Sequence, residues 1–288
     1  MSALDQATPI VAAGAPEHRV TIRPPQAWGE LSLREVWSYR ELLYFLCKRD
    51  VLIRYKQSLF GISWAVLQPL ALTVIFYVFF GRLAKVPHED VPYPLFAMAA
   101  LVPWQFAANC VGQAAASLVG DQNLLTKVYF PRLVIPIARV LALMVDLVIG
   151  FVVLAVFMAA YGFAPPAQVV TVPLIIALEF LTVVGVGAGL AALNVRYRDV
   201  AVAVPLGVQI WLFATPIVYP GSLVTGAWQY IYALNPMVSV ISAARWAVLG
   251  TDAPAVGAVA ISVLTALLLL VGALTYFRRT ERFFADIV

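Results

Sequence analysis

From Gln57 to Gly81 the chain runs twenty-five residues without a charge. As a helix that run is roughly 37 Å long, more than the ~30 Å hydrocarbon core of a bilayer. Further charge-free stretches are Val91–Gly120, Leu147–Leu178, Phe180–Val195, Val200–Ala244 and Ala253–Phe277. Within Leu147–Leu178, Gly162, Pro165, Pro166 and Pro173 mark a turn between two spans. The pattern predicts an all-α, polytopic membrane protein with six spans, about 60–81, 94–117, 133–161, 170–193, 201–219 and 255–277. Composition agrees: 12% of the 288 residues are charged and mean hydropathy is +0.90. A soluble domain carries about a quarter charged residues.

Lysine and arginine placement sets the expected orientation. Six spans put both ends on one side. That side holds eight basic residues before Leu59, then Lys127, Arg132, Arg196, Arg198, Arg278, Arg279 and Arg282, with Arg139 just inside it. The opposite side has Arg82, Lys85 and Arg245. Sixteen against three places both termini in the cytoplasm. Residues 1–31 are rich in Pro and Ala and read as a disordered cytoplasmic tail rather than a secretory signal. Cys47 and Cys110 fall in a cytoplasmic segment and a span, which argues against a disulfide.

Ahead of the first span, Ser32-Leu33-Arg34-Glu35 forms a capping box, with Leu31 and Val36 placed as a hydrophobic staple. A helix starting at Leu33 carries Trp37, Leu43 and Tyr44 beside Arg34, Arg40, Lys48 and Arg49. Mixed aromatic and basic faces suit a helix in the headgroup layer; a plain juxtamembrane helix is the alternative. Arg49–Lys56 then leads into the first span through a hinge at Ser58–Gly61, so residues 32–58 form an interface and gate unit and 59–288 the membrane domain.

The stretch KRDVLIRYKQSLFGISWAVLQPL, Lys48 to Leu70, resembles the N-terminal signature of permease subunits of ABC-2 type ABC exporters. It is most similar to the polysaccharide exporters that handle O-antigen, teichoic acid and capsule. NLLTKVYFPRLVIP from Asn123, VRYRDV from Val195, PIVYP from Pro216, NPM from Asn235 and the tail RFFADIV extend the resemblance over about residues 32–288. It implies an amphipathic interface helix, a short gate helix, six spans, a cytoplasmic coupling helix after the second, and short re-entrant outer-side helices after the fifth. It also implies a homodimer joined by two copies of an ABC ATP-binding subunit in the inner membrane of a bacterium, moving a lipid-linked glycan such as O-antigen.

The residues add their own constraints. No lysine follows a glycine, so the phosphate loop is absent and hydrolysis, with its ATP and Mg, belongs to another chain. No catalytic residues, cofactor, metal site or nucleic-acid partner is expected, and His18 and His88 have no ligand-like spacing around them. Asn123, Leu124, Leu125, Lys127, Val128, Tyr129 and Phe130 form an unusually apolar loop, the candidate ATPase contact; alternatively they begin the third span. Arg49, Arg54 and Lys56 are candidates for the phosphate of a lipid-linked glycan, with topological anchoring as the alternative. Trp64, Trp211 and Tyr219 are pore-lining candidates, against membership of an interfacial aromatic girdle. Arg139, Asp146 and Glu179 read as structural intramembrane charges, with Arg139 seven residues before Asp146 on the same helical face. An exporter of a drug or lipid, and an ion-coupled secondary transporter using Asp146 or Glu179, remain open from the residues alone.

Overall fold

The computed structural model describes residues 33–56, 61–86, 91–127 and 130–281. The N-terminal tail, most of the expected hinge, Val128, Tyr129 and the RFFADIV tail lie outside them. Among the described residues every regular element is helical. A short α1 (Leu33–Ser38) precedes α2 (Arg40–Lys56), and the first membrane helix is α3 (Ser63–Phe76), continued by a π-helical segment Tyr77–Leu83. Next come α4 (Tyr93–Gly120), the short α5 (Gln122–Lys127) and α6 (Val134–Ala160). A 3₁₀ turn leads into α7 (Val172–Arg196), followed by α8 (Val200–Phe213), α9 (Trp228–Tyr232), α10 (Pro236–Leu249) and α11 (Val256–Glu281).

Five of these helical runs are long and apolar enough to cross a membrane: Ser63–Leu83, Tyr93–Gly120, Val134–Ala160, Ala167–Arg196 and Val256–Glu281. The fifth expected span, 201–219, is instead the 14-residue α8, roughly 21 Å long. Its early end has a local cause. Pro216 lacks an amide N–H, crowds the carbonyl four residues back and disfavours helical backbone at Thr215, and turns carry the chain on from Ala214.

The expected boundary between interface and gate helices also moves. The break falls at Tyr39, and residues 40–56 form one continuous helix. At the break the Tyr39 amide is shared between the carbonyls of Glu35 and Val36, and the Ser38 hydroxyl bonds back to Glu35 at 2.6 Å. Such local bonds tighten a helix end, whereas nothing between Arg40 and Lys56 interrupts the ladder. Tyr44, Phe45, Leu52 and Ile53 face outward, while Leu46 and Asp50 are buried. Arg40, Glu41, Lys48 and Lys56 are exposed on the same helix, so its outer surface mixes apolar and charged side chains, a composition suited to the headgroup layer.

The centre of the molecule is α4, which packs against α3, α6, α7, α8 and α10. Its consecutive residues Leu95–Leu101 are all buried. Close packing around it depends on small side chains, as expected where lipid supplies no hydrophobic drive between helices. A Cβ on Gly187 would lie 2.7 Å from that of Ala114 on α4, and one on Gly185 3.0 Å from the backbone of Leu270 on α11. The Asn194 amide nitrogen adds a hydrogen bond from α7 to the Ala115 carbonyl of α4 at 2.9 Å.

Two side chains organise the turn after α8. Arg245, counted above among the outer-side charges, is buried at 3% exposure. Its guanidinium donates to the carbonyls of Phe96, Pro216, Ile217 and Tyr219 at 2.6–3.2 Å and stacks 3.5 Å over the Phe96 ring. Tyr93 donates to the remaining Val218 carbonyl at 3.3 Å. The PIVYP turn thus has its four inner carbonyls satisfied by donors from α4 and α10. Asn235 caps α10 by accepting from Met237 N at 3.1 Å, with Pro236 at the first helical position. Arg245→Met is expected to cost about 3 kcal/mol or more, because it strands several buried carbonyls, and thermal unfolding in detergent would measure it. Arg245→Lys should recover only part of the loss, since one ammonium cannot reproduce the fork of donors.

Candidate functional site

Three charged residues of α2, Arg49, Asp50 and Arg54, meet opposite charges on α6 and at the end of α4. Asp50 is buried at 8% exposure and lies 3.3 Å from the Arg139 guanidinium and 2.9 Å from that of Arg49. Asp121, the residue between α4 and α5, accepts from Arg49 at 3.0 Å and from Arg139 at 2.9 Å. Two arginines and two aspartates therefore alternate in one neutral cluster that ties α2, the end of α4 and the start of α6. Farther along both helices, Arg54 pairs with Asp146 at 2.6 Å. Tyr55 donates its hydroxyl to the same carboxylate.

These contacts revise the earlier pairing. Arg139 does meet acids, but they are Asp50 and Asp121 rather than Asp146. Seven residues along α6 carry Asp146 roughly 10 Å past Arg139, where it meets Arg54, five residues beyond Arg49 on α2. The two helices run in the same direction. Asp146 is twelve residues into α6, roughly 18 Å from its start. Arg49 and Arg54 are thus neutralised by carboxylates of their own chain, not held as bare headgroup cations. Lys56 is exposed at the end of α2.

Beside the second ion pair lies a cavity of about 250 Å³ enclosed by the end of α2 and by α3, α4 and α6. Its polar lining comes from Arg54, Tyr55, Gln68, Gln105, Asn109 and Asp146. Trp64 lines it from α3, and Phe106, Val102 and Gly150 supply apolar wall. Gln105 Nε2 is buried without a hydrogen-bond partner among the described residues. The structure therefore brings together Arg54, Trp64 and Asp146, three residues the sequence had suggested for three different roles.

The other aromatic candidates sit elsewhere. Trp211 is half-buried, stacks edge-on against Trp104 at 5.4 Å and donates its indole N–H to Asn235 at 2.9 Å. The Tyr219 hydroxyl bonds that of Tyr232 at 2.7 Å. Both are built into the framework around the PIVYP turn. Glu179 is buried at 1% exposure, and neither carboxylate oxygen has a hydrogen-bond partner among the described residues. The structural partner expected for it is not found there. At the other end, α5 presents Gln122 and Asn123 exposed and Leu124 half-buried, whereas Phe130 is buried at 4% within the core formed with Leu133 and Val134. The ring of Phe130 serves this chain's own packing and is withdrawn from any partner surface.

Sequence reasoning missed Asp50, Tyr55, Gln105 and Asn235. Asp50 and Tyr55 stood within a stretch whose basic residues drew the functional reading, and their partners are remote in sequence. Gln105 lies in a long apolar run, and an uncharged amide leaves no mark on charge patterning. Asn235 did carry a signal, since Asn followed by Pro is a helix start.

The fold is that of a helical multi-pass membrane protein with a polar cavity and ion pairs set among its spans, the class to which transport subunits belong. The chain belongs to the ABC-2 type transporter family, whose model matches residues 41–249. It is 32% identical over 213 residues to the O-antigen export system permease protein RfbA of Myxococcus xanthus, covering 73% of this chain and 81% of that protein. It is 30% identical over 202 residues to the protein of the same name from Klebsiella pneumoniae, 70% of this chain and 77% of that one. The polysialic acid transport protein KpsM of Escherichia coli is 24% identical over 240 residues, 81% of this chain and 91% of its own length.

Removing one partner of the deeper ion pair should hurt more than removing both. Asp146→Leu leaves Arg54 unpaired and is expected to cost about 2 kcal/mol, the burial of the pair being incomplete. The double substitution Arg54→Met/Asp146→Leu should recover most of that loss. A double-mutant cycle on unfolding in nanodiscs gives the coupling.

Proposed function

We propose that this chain is the membrane-spanning permease of an ATP-driven exporter that passes a lipid-linked polysaccharide of the O-antigen type across the inner membrane of a bacterium. The observation that carries this reading is the match, over most of the chain, to relatives named for O-antigen export and polysialic acid transport. The missing phosphate loop supports a separate ATP-binding subunit as the source of the stroke. Two copies of each subunit form the working complex. The stretch from Gln122 to Val128, which includes α5, meets the ATP-binding subunit: Gln122 and Asn123 are exposed at its start, and Leu125 and Val128 are the apolar residues its sequence offers for the contact. Both termini lie in the cytoplasm, as the sixteen-to-three distribution of basic residues favours.

Lys56, exposed at the end of α2, attracts the phosphate of the lipid carrier toward the gate. Arg49 and Arg54 reach an anionic headgroup only if it displaces Asp50, Asp121 or Asp146, so their first task is to hold α2 in place. Trp64 faces the passage on the first membrane helix.

Deleting the gene should abolish surface polysaccharide while the lipid-linked precursor accumulates inside. The purified chain alone should show no ATPase activity, and a cysteine at Leu125 should crosslink to the co-expressed ATP-binding subunit. ATP hydrolysis by the isolated chain would end this assignment. Cysteines placed at positions 88 and 225 should label from outside intact cells, and those at 127, 197 and 284 only after permeabilisation. Labelling of position 197 from outside would overturn the span count.

A further inference from the structure

We infer that the cavity between α2, α3, α4 and α6 is a binding subsite for one uncharged sugar ring of the exported glycan, formed within a single protomer. The inference rests on the polysaccharide reading above and assigns to this cavity the glycan itself rather than its anionic carrier.

Four observations support it. The first is charge. Arg54, the cation on the cavity wall, is already matched by Asp146 at 2.6 Å, and Tyr55 donates to the same carboxylate. A phosphate would have to break that pair inside a membrane protein, where leaving Asp146 unpaired is costly; a neutral polar ligand leaves it intact. The second is the polar lining. Gln68, Gln105 and Asn109 are amides, each offering both donors and acceptors. Sugar hydroxyls have the same dual character, whereas a lipid tail satisfies none of these groups.

The third is the buried Nε2 of Gln105, a donor with no hydrogen-bond partner among the described residues. Such a group costs about 1–3 kcal/mol unless something accepts from it; Gln105 lines the cavity, and a hydroxyl there accepts from the amide once its end group turns toward the opening. The fourth is size and shape. At about 250 Å³ the cavity falls just below the range of drug-sized sites, roughly 300–1,000 Å³, and suits one ring. Trp64 lines the cavity from α3, and an aromatic ring is the side chain against which the apolar C–H face of a pyranose packs.

The Gln105 amide separates this role from a structural one. If Gln105 is merely a poorly satisfied core residue, Gln105→Leu should leave export unchanged and raise stability. If it binds sugar, the same substitution should lower the export rate about five- to tenfold, the loss of one hydrogen bond of about 1–1.4 kcal/mol, while melting temperature stays level or rises. Ala65→Phe, which fills the cavity from α3, should lower export similarly with the ATP-binding subunit still bound.

The decisive measurement is photocrosslinking in the organism's own cells, with the full complex making its native glycan. A benzophenone amino acid at Trp64 or Gln68 should yield peptides carrying sugar mass, and one at Leu268, exposed on α11 and outside the cavity lining, should not. Phospholipid or carrier-phosphate adducts at 64 and 68, without sugar, would reassign the cavity to an anionic headgroup. Absence of adducts together with normal export by Ala65→Phe would leave the cavity to water alone. Should deletion of the gene leave surface polysaccharide untouched, the export reading itself fails, a result separable from either cavity outcome.

Discussion

The attachment of α2 to α6 depends on charges that meet inside the membrane domain. Asp50, Asp121, Arg49 and Arg139 form one cluster, and Arg54, Asp146 and Tyr55 form a second farther along the same two helices. Each group taken out of water carries a desolvation penalty of several kcal/mol, which only well-placed opposite charges offset. Alternating signs leave both clusters neutral. Once these pairs exist, the face of α2 that carries Arg49, Asp50 and Arg54 is committed to α6 and to the end of α4, while Phe45, Leu52 and Ile53 face outward. The position of the helix against α6 follows from where the carboxylates are.

A different solution holds the far end of the molecule. There the chain must leave regular helix after a 14-residue segment and turn back through PIVYP, exposing carbonyls that have no water to meet. Arg245 and Tyr93 satisfy them, and Asn235 joins Trp211, Ala214 and Thr215 to the start of α10. An arginine that would be ruinous in lipid becomes favourable when it closes a broken helix. Between these two ends the spans touch through small residues such as Gly185 and Gly187, so α4 sits tightly enclosed. The cavity near Asp146 is where that close packing opens, and its lining is polar because the second ion pair stands at its edge.

Much of this was legible in the linear chain, for reasons that can be named residue by residue. Long charge-free runs mark spans because the bilayer has a thickness. The proline and glycine cluster from Gly162 to Pro173 marked a turn, and the structure turns there. NPM carried the Asn-then-Pro signal of a helix start, a signal that sequence reasoning passed over. What misled was reading Arg49 and Arg54 as free cations and matching Arg139 with Asp146 by periodicity. Helical spacing assigns residues to a face, but it is blind to the neighbouring helix that supplies the counter-charge. Phe130 misled in the same way, since an apolar residue in a loop has the same letter whether a partner or its own core covers it.

The sequence by itself determined that the chain is helical, where most of its membrane segments lie, and that it has no phosphate loop of its own. Those properties depend on contiguous residues: hydropathy over a span's length, proline and glycine within a turn, a motif of fixed spacing. Tertiary structure alone decided that Asp50 faces inward, that Arg54 is matched by a carboxylate 92 positions away, and that Trp64 shares a cavity with Gln105. Each of these depends on which helices become neighbours. That choice is made by summed packing and by pairing of charges in a medium of low dielectric, where an unmatched charge is costly and a matched one fixes its helix in place.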